Sequence, residues 1–142
     1  MGDRGNIGFI QHTPIEVRGK WVMKVDSAIF LYTHSYGYRV EALAAEAIKA
    51  SAPRHGDETY ATRMALTALI GKVEGDTGWG VGTHTGENSY PIPVIDFERR
   101  EVRIIDTETG DSNDLEAILA AFGLAKVETF EAFLGRVAID AA

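Results

Sequence analysis

The segment Ala28–His34 constrains this chain more than any other. Ala-Ile-Phe-Leu-Tyr-Thr-His is a near-continuous apolar run of strand length. It ends in a polar turn, Ser35-Tyr36-Gly37, and feeds a helix. A run apolar on both sides reads as a central strand, with Phe30, Tyr32 and His34 on one face and Ile29, Leu31 and Thr33 on the other. The helix it feeds spans Gly37 to Ala50 and puts Val40, Leu43, Ala44, Ala47 and Ile48 on one stripe. Pro53-Arg54-His55-Gly56 breaks it. Asp57 is a cap for a second helix, Glu58 to about Lys72, with Ala61, Met64, Ala65, Ala68 and Leu69 inward.

The remaining segments follow the same grouping. Asn6 to Gln11 reads as a short strand, and Thr13 to Lys20, with Pro14 and Gly19, as a loop or hairpin connection. Trp21 to Val25 alternates as a strand does. Gly78-Trp79-Gly80-Val81-Gly82 is a glycine-rich strand, and Val94 to Ile105 a β-hairpin. Ser112, Asn113 and Asp114 are capable caps for a helix Leu115 to Phe122, which Gly123 ends. Thr129 caps a last helix, Phe130 to Val137. Strands in groups and helices in groups predict an α+β fold with an antiparallel sheet, two central helices on one face and a short C-terminal helical segment. The 142 residues form one domain, 1–142, with a core over 1–106 and a helical extension over 107–142.

Composition narrows the chemistry. Without cysteine there is no disulfide, thiolate nucleophile or thiolate metal site. A net charge of −7 argues against nucleic-acid binding, because the densest basic cluster is Arg99, Arg100 and Arg103, interleaved with Glu98 and Glu101. The N-terminus lacks signal-peptide character, and the apolar runs are too short to span a bilayer. The expectation is a soluble cytoplasmic protein without membrane contact.

The candidate site lies at the end of the central strand. His34 either donates to a phosphate or carboxylate, with Thr33, Ser35 and the amides of Tyr36 to Tyr38 as co-donors, or caps the strand–helix junction. Tyr36 and Tyr38 can stack on a ring, while Tyr32 is read as core. Alternating glycines allow close approach by a ligand or a backbone, so Trp79 and His84 form a second lip of the pocket. Trp79 is otherwise a core anchor. Arg4 and Arg63 can reach a phosphate bidentately, or else serve in surface ion pairs.

Enzyme signatures are absent. There is no P-loop, no Gly-x-Ser-x-Gly elbow and no His-Glu-x-x-His. His34-Ser35-Tyr36 and His84-Thr85-Gly86 have the hydroxyl one place too early for a two-histidine phosphoesterase. Asp76, Asp96 and Asp106 are spaced as carboxylates that could bind a metal, but acids at strand ends are common turn residues, so no metal site or cofactor is assigned.

Four motifs carry a resemblance: Met1-Gly2-Asp3-Arg4-Gly5-Asn6-Ile7, Leu31-Tyr32-Thr33-His34, Asp76-Thr77-Gly78-Trp79-Gly80-Val81 and Pro93-Val94-Ile95-Asp96. Over roughly residues 1–106 the chain resembles a family of small phage, prophage and bacterial proteins without an assigned activity. The family's turn after the histidine carries Trp and paired glycines. Here it is Ser35-Tyr36-Gly37, which keeps the aromatic and glycine character and loses the Trp. The resemblance implies a phage or mobile-element setting, where small proteins often serve in counter-defence. The leading expectation is a non-enzymatic homo-oligomer that sequesters a small anionic, nucleotide-derived ligand. The alternatives are an inhibitor of a host protein and a hydrolase using His34 and His84.

Overall fold

A computed structural model describes residues 3–71, 77–85, 88–106 and 125–140. The central apolar run is part of a longer strand than its pattern suggests. β1 (Gly5–Val17) and β2 (Lys20–Thr33) form one antiparallel hairpin. Its tight turn is Arg18-Gly19, both at positive φ (51° and 78°), as a two-residue hairpin turn requires. The segment Thr13–Lys20 is therefore mostly strand. Pro14 is tolerated because it pairs only with Met23 in a two-stranded ribbon that has open sides.

Helix α1 (Val40–Ala50) follows a single 3-10 turn, Gly37–Arg39, and α2 (Glu58–Ile70) follows the 3-10 turn Ala52–Arg54. Asp57 caps α2, as expected, by accepting from the Tyr60 amide. β3 (Trp79–Gly82), β4 (Ile92–Asp96) and β5 (Glu101–Ile105) come next. β6 (Lys126–Thr129), a strand not expected from the sequence, pairs with β5, and α3 (Phe130–Asp140) closes the described chain. The expected helix Leu115–Phe122 lies outside the described residues.

The sheet has six strands in the order β3-β2-β1-β4-β5-β6. The α+β class holds, but the expected purely antiparallel sheet does not: β1 and β4 run parallel, with Gly8 opposite Val94 and Phe9 opposite Ile95. Grouping of strands reports which ones are hairpin partners. It is silent on the direction in which two hairpins meet, and here they meet through β1 and β4.

Alternation along the strands gives the sheet two apolar faces. Ile7, Phe9, Leu31, Ile95 and Val102 face the helices and form one cluster with Leu43, Ile48, Leu69, Phe130 and Phe133. Ile10, Ala28, Phe30, Ile92, Val94 and Ile105 form a second buried cluster on the opposite face. Gly8 is needed there for space: a Cβ would lie 2.8 Å from the Phe30 ring and 3.1 Å from the Val94 side chain. Beyond Gln11 the β1–β2 hairpin pairs with no third strand among the described residues, and its far end exposes Trp21, Val22 and Met23. No described helix is long and apolar enough to cross a membrane.

Candidate functional site

The turn after β2 is built by its own side chains. The buried Thr33 hydroxyl accepts from the amides of Ser35 (3.4 Å) and Tyr36 (3.1 Å). The Gly37 amide donates to the Asp3 carbonyl at 2.7 Å, and the Tyr38 amide to the Asp3 carboxylate at 3.2 Å. The His34 amide donates to Gly78 and the Arg39 amide to Tyr36. Every amide from His34 to Arg39 thus has an acceptor within the chain. Anions are favoured at a helix start, and Asp3 supplies that negative charge from inside the molecule.

Around this turn the expected residues separate into two groups. Tyr36 stacks on Trp79 with ring centres 5.8 Å apart, and Tyr38 tilts against Tyr36 at 6.5 Å. Tyr38 is 63% exposed and Tyr36 37%, so the stack presents an aromatic edge to solvent. Trp79 also packs against the helix-side core. Arg4 donates through Nε to His34 Nδ1 at 3.3 Å, which leaves the hydrogen of a neutral His34 ring on Nε2. Arg63 is exposed on α2, and His84 is exposed just beyond β3. The described contacts join neither of them to His34 or Trp79. Tyr60, one turn before Arg63, carries the Arg54 guanidinium 4.7 Å over its ring. In β3, a Cβ at Gly80 or Gly82 would meet nothing within 4 Å, so the bare side of that strand is open among the described residues.

Comparison with protein families, curated proteins and solved structures finds no match.

A concave feature lies elsewhere, where the β4–β5 turn meets α1 and α3. It is an open depression of about 640 Å³ with an apolar floor of Ile48, Ala52, Phe130 and Leu134. Lys49, His55, Arg99, Arg100, Thr129 and Glu131 supply its polar rim. Three permanent cations therefore face one carboxylate, on a chain whose net charge is −7. His55 is a wall of this depression. Its Nε2 donates to the Ile48 carbonyl at 2.9 Å, and its ring lies against Phe97 and Phe130 at 5.6 and 4.9 Å.

Local structure positions the two arginines. Asp96 accepts from the Arg99 amide at 3.0 Å and shapes the turn. Arg100 then takes φ 54°, a left-handed conformation that is strained for a residue with a Cβ and unstrained for glycine. Its carbonyl accepts from the Phe130 amide at 3.1 Å, and a Cβ on Gly56 would lie 3.8 Å from its guanidinium. The sequence marks Arg99 and Arg100 as a basic cluster. The interleaved Glu98 and Glu101 hide that both arginines reach one depression while the acids do not line it.

Another constellation escaped the sequence entirely. Opposite Gln11 and His12 the register of the hairpin shifts, and Asp26 of β2 is the extra, unpaired residue. Gln11 then reaches the Thr62 hydroxyl on α2, and His12 reaches Glu58 on the same helix. Asp96, at the end of β4, lies beside them. His12, Glu58 and Asp96 come from segments far apart in the chain, so their meeting leaves no local signature. The sole hint is that β1 turns polar at Gln11-His12-Thr13 while still flanked by strand.

Proposed function

We propose that this chain is a non-enzymatic binding protein for a small anionic ligand of the nucleotide-derived kind, held in the depression between the β4–β5 turn, α1 and α3. The observation that carries the reading is the concentration of Lys49, Arg99 and Arg100 on one concave surface of an acidic protein. A cationic rim attracts phosphates, arginine grips them bidentately, and the apolar floor with Phe130 accepts a ring or base. The ligand class is the one expected from the sequence, and the place is different. The resemblance to small phage and bacterial proteins supplies a setting, sequestration of a nucleotide immune signal in the host cytoplasm by a homo-oligomer, and this is part of the proposal.

The experiment is calorimetric titration of the protein with a cyclic dinucleotide and with pyrophosphate, repeated on Arg100→Gly. Glycine is unstrained at φ 54°, so the variant should melt at the parent's temperature or above it. Its affinity should fall at least roughly tenfold, about 1.4 kcal/mol. Absence of binding by the parent, or equal binding by the variant, defeats the proposal.

One observation favours a second reading, an inhibitor that docks on a host protein. Among the described residues the hairpin beyond Gln11 has no sheet neighbour, and it exposes Trp21 to 71%, an anchor residue of the kind interfaces bury. Co-purification of a host protein that Trp21→Ala abolishes, with no small molecule released on denaturation, would decide for this reading. The hydrolase alternative gains nothing from the placement of His34 and His84, which share no described contact.

A further inference from the structure

We infer that His12 and Asp96 hold a divalent transition-metal ion of the zinc class, with Glu58 positioning the histidine. The sequence assigns no metal here, and the site is separate from the anion-binding depression.

The inference starts from hydrogen positions. Glu58, in the first turn of α2, uses both carboxylate oxygens on His12. Oε2 accepts from the His12 backbone amide at 2.7 Å, and Oε1 lies 2.6 Å from the ring Nδ1. An ionised carboxylate can only accept, so Nδ1 carries the hydrogen. In the neutral ring Nε2 then bears a lone pair, and Asp96 Oδ2 is 3.9 Å from it. The side chains are 3% and 6% exposed, so with the ring neutral two acceptors face each other in a nearly dry space. A direct hydrogen bond reaches only to about 3.2 Å.

A metal ion resolves this arrangement. Zinc takes imidazole nitrogen and carboxylate oxygen at about 2.0–2.2 Å, so a single ion bridges two such atoms up to about 4.2 Å apart. One ligand atom from each of His12, Glu58 and Asp96 lies within 4.8 Å of the others. A carboxylate behind a ligating histidine fixes its tautomer and raises its basicity, and Glu58 stands in that position. Asp96 is anchored through its other oxygen by the Arg99 amide. Imidazole plus carboxylate, without thiolate, suits zinc, cobalt or manganese better than calcium or magnesium.

The test is titration of the metal-stripped chain with Zn²⁺ by calorimetry, with Co²⁺ absorption as a second readout on the unmutated protein. One ion per chain should bind with a dissociation constant of about 10 µM or below, raising the melting temperature. Asp96→Asn keeps the acceptor for Arg99 and should weaken binding at least roughly tenfold. His84→Ala, an exposed histidine, should leave it unchanged. No bound ion, no visible Co²⁺ band, or binding that depends on His84 and survives Asp96→Asn would overturn the inference and leave His12 a buried ion-paired residue.

Discussion

Gly37→Ala separates two roles of glycine at the strand–helix junction. Gly37 is not among the residues at positive φ, so alanine is conformationally allowed. Space forbids it: a Cβ would lie 2.6 Å from the Arg4 carbonyl carbon and oxygen and 2.8 Å from Tyr90 Cδ2. Carbon atoms in contact normally sit about 3.5–4.0 Å apart, so β1 and the 3-10 turn must part by roughly 1 Å. The movement also stretches the 2.7 Å bond from the Gly37 amide to Asp3. Overpacking of this kind costs about 1–3 kcal/mol, and the stiffer unfolded chain returns less than about 1 kcal/mol. We expect a net loss of about 2 kcal/mol, or about 6 °C in melting temperature for a chain of this size. Gly82→Ala is the control, because its Cβ meets nothing within 4 Å. It should melt within about 1 °C of the parent, since alanine and glycine differ little in an open edge strand. Circular dichroism melts of the two variants decide the matter. Equal melting of Gly37→Ala and parent would refute the claim that this close approach fixes the junction.

Two other expectations concern charge. The Tyr90 hydroxyl bonds to the Asp3 carboxylate, which, with burial, raises its pKa above the usual 10. A raised pKa means stability that is complete below pH 10 and is lost as pH climbs through the folded-state value, so Tyr90→Phe should flatten the alkaline limb of the stability–pH curve. Arg136 binds Glu128 at 2.9–3.1 Å and Glu41 at 2.9 and 3.2 Å, tying α3, β6 and α1 together. Arg136→Met strands the nearly buried Glu128, and urea unfolding should report a loss of about 1–2 kcal/mol, discounted for the partial exposure of Glu41.

Local chemistry was readable from the sequence, and chain closure was not. Asp57 and Thr129 announce their helices because a cap acts within three residues, and both accept from the amides expected. The hairpin of β4 and β5 and the glycine strand β3 declare themselves through period-two patterning. β6 did not, since Lys-Val-Glu-Thr is too short to display a period. At the turn after β2 the sequence shows Thr33, Ser35, Tyr36 and Tyr38 side by side, but not the acceptors that occupy their amides. Asp3 is 35 residues from Tyr38, and only the pairing of β1 with β2 brings it back. The same holds for His12, which lies 46 residues from Glu58 and meets it only when α2 packs against β1.

The parallel seam between β1 and β4 also sets the order in which the molecule assembles. Each hairpin closes over a handful of residues, whereas Gly8 must find Val94, 86 positions along the chain. Closing such a loop costs about 4 kcal/mol of chain entropy before any contact rewards it, by the logarithmic scaling of loop closure. Only two residue pairs form the seam itself. We therefore expect it to be completed late, after the hairpins and the helices that dock on them, and to limit the folding rate. Gly8 sits between Phe30 of β2 and Val94 of β4, and a Cβ there would meet both side chains. Stopped-flow refolding should show a Gly8→Ala chain folding more slowly than its parent, and a change confined to the unfolding rate would place the seam after the barrier.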